Sequence, residues 1–294
     1  MIAAMQIENP KIAKLYRNVP PEQVQKLLHF RANHPCKQVA IGTIDWPYIL
    51  AGQGKSVILL LPGALATAES AWQSILHFAD CYRVLCPSYP PVVTIAELVD
   101  GIAGILEEEG LAKAHVVGGS YGGLVAQAFV RRHPGKTDKL VISHAGYPDA
   151  GRGAKIAKAM RWLPLLPMGV LRLLAKKRLA GLLPKGHAET AFFRAYVQEV
   201  LQFQLTKESF LNTYRRVVDF DRNHRFSPRD LSDWPGKVLL VMADDDPATP
   251  DPVPQAMQAL YPQAQVHIFS GTGHAAAILK RDEYYSLIEA FLAA

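Results

Sequence analysis

An apolar run from Ala114 to Val117 ends in Gly118-Gly119-Ser120-Tyr121-Gly122-Gly123, and a helical pattern from Leu124 to Val130 follows at once. G-x-S-x-G in that setting constrains the chain more than any other feature. A strand that bends sharply into a helix lifts the residue at the bend above the sheet, here a serine hydroxyl. Its neighbours must be small because strand and helix pack closely there, and glycine tolerates unusual dihedrals. Gly118 and Gly122 occupy the two required offsets, and Gly119 and Gly123 relax the turn further. A flexible Gly-Ser loop would not have apolar, regularly patterned segments on both sides.

Around this bend, strands alternate with helices. Residues 56–61 form an almost wholly apolar run, as expected of a strand covered on both faces. Further strands are predicted at 82–86, 139–143, 237–242 and 265–269, with a hairpin of strands at 37–43 and 46–51 before them. Thr94-Ile95-Ala96-Glu97 reads as a capping box, followed by Leu98, Ile102 and Ile105 at helical spacing. Helices are also expected near 254–260 and over 282–292. The alternation predicts an α/β fold with a mostly parallel, doubly wound sheet.

Residues 147–234 break this rhythm. Phe193, Tyr196 and Val200, then Phe210, Tyr214 and Val217, recur every three or four residues, so the segment reads as helical. Inserted between two core strands, it would form a cap or lid, leaving 36–146 and 235–294 as the core. Residues 1–35 read as an N-terminal extension with a helix over 21–30. The 294 residues suffice for one substantial core, and no apolar run approaches the ~20 residues of a spanning helix. Residues 1–8 lack the pattern of a secretory signal. Three cysteines at 36, 81 and 86 have no metal-ligand spacing and read as buried free thiols in a reducing, cytoplasmic setting.

A serine hydroxyl needs a base, and the base a group that orients it. Two loops after late strands offer both. Ala243-Asp244-Asp245-Asp246-Pro247-Ala248-Thr249-Pro250 follows one, and Ser270-Gly271-Thr272-Gly273-His274 follows the last. Asp149, after an earlier strand, is an outside candidate for the acid, and His144 ends a core strand as a candidate lining residue.

With serine, acid and histidine in that order, residues 36–294 resemble the α/β-hydrolase superfamily. The resemblance implies several roles. The acid loop of many members is similar to G-x-x-D-x-x-x-P, which in this register selects Asp246, leaving Asp244 and Asp245 as solvated loop charges. His274 becomes the base, and the backbone N–H of Tyr121 one oxyanion donor. The second donor follows the strand at 56–61, where members often carry His-Gly. Here Pro62-Gly63 stands, and Ala64 is the corresponding donor, without the histidine that often braces the loop. Leu61-Pro62-Gly63, Tyr82-Arg83-Val84 and Ser88-Tyr89-Pro90 look like the maspardin branch. Its animal members are described as binding proteins without the late histidine, which this chain retains. The elbow is also similar to that of proline iminopeptidases, but their H-G-G-P-G loop is absent. Ser120 stands where haloalkane dehalogenases carry an aspartate.

The resemblance therefore implies a serine hydrolase acting on a small apolar ester, with no cofactor or metal. A noncatalytic binding or adaptor protein, a peptidase and a C–C hydrolase are the alternatives. The net charge of +6 is uneven: residues 151–194 hold ten Lys/Arg and one acid, so the rest sums to −3. No nucleic-acid module accompanies this excess. Peripheral contact with anionic lipid is one reading, since Trp162, Leu163, Leu165 and Leu166 lie among the basic residues. Polar and apolar residues from Val170 to Leu183 do not separate on a helical wheel, however, which favours an ordinary cap with a solvated charged face.

Overall fold

A computed structural model describes residues 7–184 and 186–294. The expectation about a secretory signal falls largely on residues 1–6, which lie outside the described residues.

Eight strands form one sheet: β1 (Lys37–Ile41), β2 (Ile44–Ala51), β3 (Val57–Leu61), β4 (Arg83–Pro87), β5 (Ala114–Gly119), β6 (Thr137–Ser143), β7 (Val238–Ala243) and β8 (Gln265–Phe269). Their spatial order is β1-β2-β4-β3-β5-β6-β7-β8. β1 pairs antiparallel with β2 and β2 with β4, while all other neighbours are parallel. This is the α/β-hydrolase fold expected from the sequence.

Alternation along the central strands explains why their buried stretches are apolar on both faces. Leu59, Leu61, Val116, Ile142 and Leu240 enter one core, whereas Ile58, Leu60, Val117, Val141 and Leu239 enter the core on the opposite face. The first core is closed by α4 (Ile95–Glu108) and α5 (Tyr121–Arg132), the second by α3 (Trp72–Ala79) and α12 (Arg281–Ala293). The Thr94–Glu97 capping box opens α4 as predicted.

The order β4-β3-β5 means that the chain leaves β3 towards one side and, after β4, crosses to the other. The loops leaving the C-terminal ends of β3 and β5 therefore diverge, opening a crevice where doubly wound folds place their ligands. Leu61 pairs with Gly118 at this point, bringing the Pro62-Gly63-Ala64 loop alongside Ser120.

Between β6 and β7 lie α6 (Ala150–Ala159), α7 (Met168–Ala180), α8 (Thr190–Glu199) with a π-helical turn at Val200–Gln204, and α9 (Lys207–Asn223). They build a third core from Leu171, Ala175, Val197, Leu201, Phe210 and Leu211. The N-terminal residues are tied to these helices. A helix over Pro10–Leu15, capped by Asn9, escaped the sequence reading; the next runs over Pro21–Asn33. Buried Tyr16 donates its hydroxyl to Glu199 at 2.5 Å, and Arg31 bridges Glu69 and Glu199. Among the described residues no helix is long and apolar enough to cross a membrane. All three cysteines are free, but only Cys86 is buried; Cys36 and Cys81 are exposed, contrary to the expectation of buried thiols.

Candidate active site

Ser120 has φ 55° and ψ −121°, a conformation side chains rarely adopt, and it stands between the end of β5 and the first residue of α5. Its N–H donates to Ser143 O at 2.8 Å, so pairing with β6 helps hold the strained bend. The flanking glycines answer to space rather than to dihedral freedom. A Cβ on Gly122 would collide with the Leu61 carbonyl, one on Gly118 with the Gly122 carbonyl, and one on Gly123 would lie 2.5 Å from Ala145 Cβ. Gly119 has room, its nearest neighbour being 3.9 Å away. The unusual dihedrals predicted for the glycines thus belong to the serine.

The three adjacent aspartates separate by environment. Asp246 is 4% exposed; its Oδ2 accepts from His274 Nδ1 at 2.8 Å and from Thr249 Oγ1 at 3.0 Å, and its Oδ1 from Ala248 N at 2.8 Å. Burial pushes its pKa up, but these donors outweigh burial and hold the carboxyl below its ordinary range. Asp244 accepts from Ser270 Oγ at 2.7 Å, and Asp245 from Gly273 N at 2.8 Å. Both are exposed, yet they stitch the loop after β7 to the loop that carries His274, a role beyond that of solvated charges. Asp149 is accounted for as the N-cap of α6, accepting from the amides of Gly151 and Arg152.

Ser120, Tyr121, Ala64, His144 and His274 line one cavity of ≈ 410 Å³. No hydrogen bond joins Ser120 to His274 among the described residues; such contacts commonly tighten only around a substrate. As N1 of α5, Tyr121 has an amide that precedes the helical ladder and is left free for a ligand. The cavity wall is otherwise largely apolar, including Leu124, Ile156, Leu179, Leu201, Phe210 and Val217. Arg152 also lines it but is neutralised by Asp221, with Nη2 to Oδ1 at 2.6 Å. His144 is 5% exposed, its Nδ1 bonds Ser143 Oγ at 2.8 Å, and its ring meets that of His274 edge-on at 5.6 Å.

Two supports were not legible in the sequence. Tyr89 Oη donates to Pro62 O at 2.9 Å, bracing the loop in which proline replaced the expected histidine. Arg216, on α9, is 1% exposed and makes no ion pair among the described residues. It donates to Tyr121 Oη at 2.7 Å, Val92 O at 2.8 Å and Pro90 O at 3.1 Å, and lies 5.9 Å from the ring centroids of both Tyr89 and Tyr121. No motif announces it, because Arg216 stands beside Val217 in an ordinary amphipathic pattern.

Residues 58–287 match the Alpha/beta hydrolase family. A 2-hydroxy-6-oxo-6-phenylhexa-2,4-dienoate hydrolase of Burkholderia cepacia is 28% identical over 267 residues, covering 83% of this chain and 89% of that protein. Maspardin of Danio rerio is 27% identical over 252 residues, covering 82% and 78%. Among solved structures, a hydrolase from Pseudomonas aeruginosa superposes with a TM-score of 0.73 at 17% identity, covering 88% of this chain and 99% of that one. The 2-hydroxy-6-oxo-6-phenylhexa-2,4-dienoate hydrolase of a Rhodococcus superposes at 0.69 and 20% identity, covering 89% and 99%. At such identities the structural likeness speaks for the fold.

Proposed function

The chain belongs to the alpha/beta hydrolase family, and from that premise we propose that it cleaves a small apolar carboxylic ester through an acyl-enzyme on Ser120. The observation that carries this reading is the 2.8 Å hydrogen bond from His274 Nδ1 to the buried Asp246 carboxylate, behind a cavity that His274 and Ser120 both line.

Ser120 Oγ attacks the ester carbonyl while His274 Nε2 takes its proton. Asp246 remains ionised, fixes the imidazole with Nδ1–H towards itself, and stabilises the imidazolium. The N–H groups of Tyr121 and Ala64 hold the tetrahedral oxyanion, an effect of about 2.7–4 kcal/mol per donor. Collapse expels the alcohol, protonated by His274. Water activated by the same imidazole then attacks the acyl-serine, releasing the acid and restoring Ser120. The reaction asks for no cofactor. The apolar walls suit an acyl chain, with residues 147–234 serving as the cap, and the free cysteines fit a reducing, cytoplasmic setting.

A fluorophosphonate probe tests the nucleophile: labelling lost in Ser120→Ala is expected, and a folded wild-type protein that resists the probe would sink the proposal. p-Nitrophenyl esters of increasing chain length then report how much of the cavity the acyl group fills.

The relatives' names favour a second reading, hydrolysis of a carbon–carbon bond in a 2-hydroxy-6-oxo-dienoate. It uses the same three residues, and Arg178, at the cavity wall without an ion-pair partner among the described residues, suits a carboxylate substrate. Turnover of 2-hydroxy-6-oxo-6-phenylhexa-2,4-dienoate, compared with that of the esters, separates the two. A binding role, suggested by the likeness to maspardin, predicts neither labelling nor turnover.

A further inference from the structure

Helix α7 carries apolar side chains well outside its buried side as well as on it. Leu171 and Ala175 face inward, into the core of the inserted helices. Val170, Leu173 and Leu174 are exposed, and just upstream Trp162 and Leu165 project into solvent, with exposures of 67% and 72%. Two apolar faces on one helix explain why its residues refuse to sort on a helical wheel: a helix with one buried face and one solvated face would sort. The failure to separate is therefore the mark of a second apolar surface, the opposite of what it suggests in the sequence alone.

These side chains are concentrated rather than scattered. Of the nine large apolar residues exposed among the described residues, five lie between positions 162 and 174, and a sixth, Phe203, sits on the π-helical turn that packs against α7. Single exposed apolar residues are ordinary, but a cluster marks an interaction surface.

The charges around the cluster identify the partner. Lys155, Lys158 and Arg161 recur at helical spacing on and just past α6, and Lys176, Lys177 and Arg178 follow on α7. All six are exposed, and none makes an ion pair among the described residues. The one acid of residues 151–194, Glu189, is held by Arg281 at 2.5 Å. Two copies of this surface meeting across a two-fold axis would oppose like charges. An anionic bilayer instead offers negative headgroups to the lysines and arginines and a hydrocarbon boundary to Trp162, Leu165 and Leu173.

We propose that the face formed by residues 155–178 docks peripherally on anionic phospholipid membranes. Arg178 both lines the active-site cavity and is exposed, so the docking face and the cavity meet at this side chain. Docking would place the cavity beside a source of apolar molecules. The inference does not rest on the chemistry of Ser120, and Ser120→Ala should bind membranes like the wild type.

Co-sedimentation with vesicles of phosphatidylcholine, with and without phosphatidylglycerol, tests this at low and physiological salt. Binding is expected only with phosphatidylglycerol and should weaken as salt rises. Lys176→Glu combined with Lys177→Glu should lower vesicle affinity by at least about tenfold. Leu165→Asp with Leu173→Asp should do the same through the apolar contact. Both double variants should keep the wild-type far-UV circular dichroism and melting temperature, which report that the fold is intact whether or not the protein is an esterase. Trp162 fluorescence should shift to the blue and be quenched by brominated lipid, with the quenching lost in Trp162→Ala. No binding to phosphatidylglycerol vesicles at low salt would overturn the proposal. So would a dimer in sedimentation equilibrium that Leu173→Asp dissociates, since the face would then belong to a second copy of the chain.

Discussion

Arg216 Nε donates to Tyr121 Oη at 2.7 Å, joining a buried cation of α9 to the residue immediately after the proposed nucleophile. The same guanidinium lies over Tyr89, whose hydroxyl holds the carbonyl of Pro62, two residues before the second proposed oxyanion donor. The inserted helices thus reach both sides of the proposed oxyanion site through one side chain. A buried charge persists only when its donors are satisfied, and here carbonyl and hydroxyl oxygens do the work usually given to a carboxylate.

Tyr121→Phe deletes one acceptor of a buried cation and should lower stability by about 1.5–3 kcal/mol. It also loosens the residue that carries the Tyr121 amide. Ester kcat should therefore fall while KM changes little, because an oxyanion donor acts mainly in the transition state. Urea midpoints and steady-state kinetics measure the two effects. Loss of stability with unchanged kcat would confine Arg216 and Tyr121 to a packing role.

Among the three aspartates, only Asp246 holds the histidine. Asp246→Asn should cost about 10³–10⁴-fold in kcat by favouring the wrong imidazole tautomer. Asp245→Ala removes only an acceptor for Gly273 N, and Asp244→Ala those for Ser270 Oγ and Gly271 N, so each should cost less than about tenfold. Steady-state rates on one p-nitrophenyl ester rank the three. If Asp245→Ala proved as damaging as Asp246→Asn, the assignment of the orienting acid would fail.

The elbow glycines differ in what they permit. Gly122→Ala and Gly118→Ala drive a methyl group into backbone carbonyls and should each cost about 1–3 kcal/mol or more. Gly119→Ala meets its nearest atom at 3.9 Å and should fold with near-normal stability. Thermal melting of the three variants decides whether space governs this turn.

The parts of this molecule that could be read from its sequence are those with local causes. β3 and β7 are covered on both faces, so their residues are apolar without alternation, and the capping box of α4 lies within four consecutive residues. The elbow compresses its spatial demands into six positions. The register of a resembling loop selects Asp246, and its environment agrees: it alone of the three turns inward. The contacts of Asp244 and Asp245 depend on a loop 26–28 residues downstream being folded against them, and nothing local records that. Arg216 is still less legible, since Tyr121, Val92 and Pro90, which take its shorter hydrogen bonds, lie 95–126 residues away. The short first helix was signalled by Asn9-Pro10, an N-cap followed by proline at N1. Only the structure exposed the second apolar face of α7, because a helical wheel cannot say which face the rest of the protein covers.

His144 supplies the pH dependence with the clearest sign. It is enclosed by the end of β6, with Ser143 Oγ on Nδ1, the His274 ring edge-on, and the negative charges of Asp246 and Asp245 farther off. Burial first, and then His274, depress its pKa to about 4, with the two carboxylates opposing. Below its ordinary value near 6.5 the unfolded chain takes up a proton that the folded protein refuses until about pH 4. Folding stability contributed by the neutral ring is therefore present at neutral pH and lost as the pH falls through this window. The loss approaches about 3 kcal/mol at its acid end. His144→Gln keeps a polar side chain without a titrating proton, so its urea midpoint should fall less steeply than the wild type's between pH 7 and 4. Groups that do not interact with His144, such as the buried His115, contribute equally to both proteins and cancel in the comparison. Parallel midpoint curves would mean that His144 accepts its proton in the folded state as readily as in the unfolded one, and that the packing of its ring against His274 imposes no electrostatic cost.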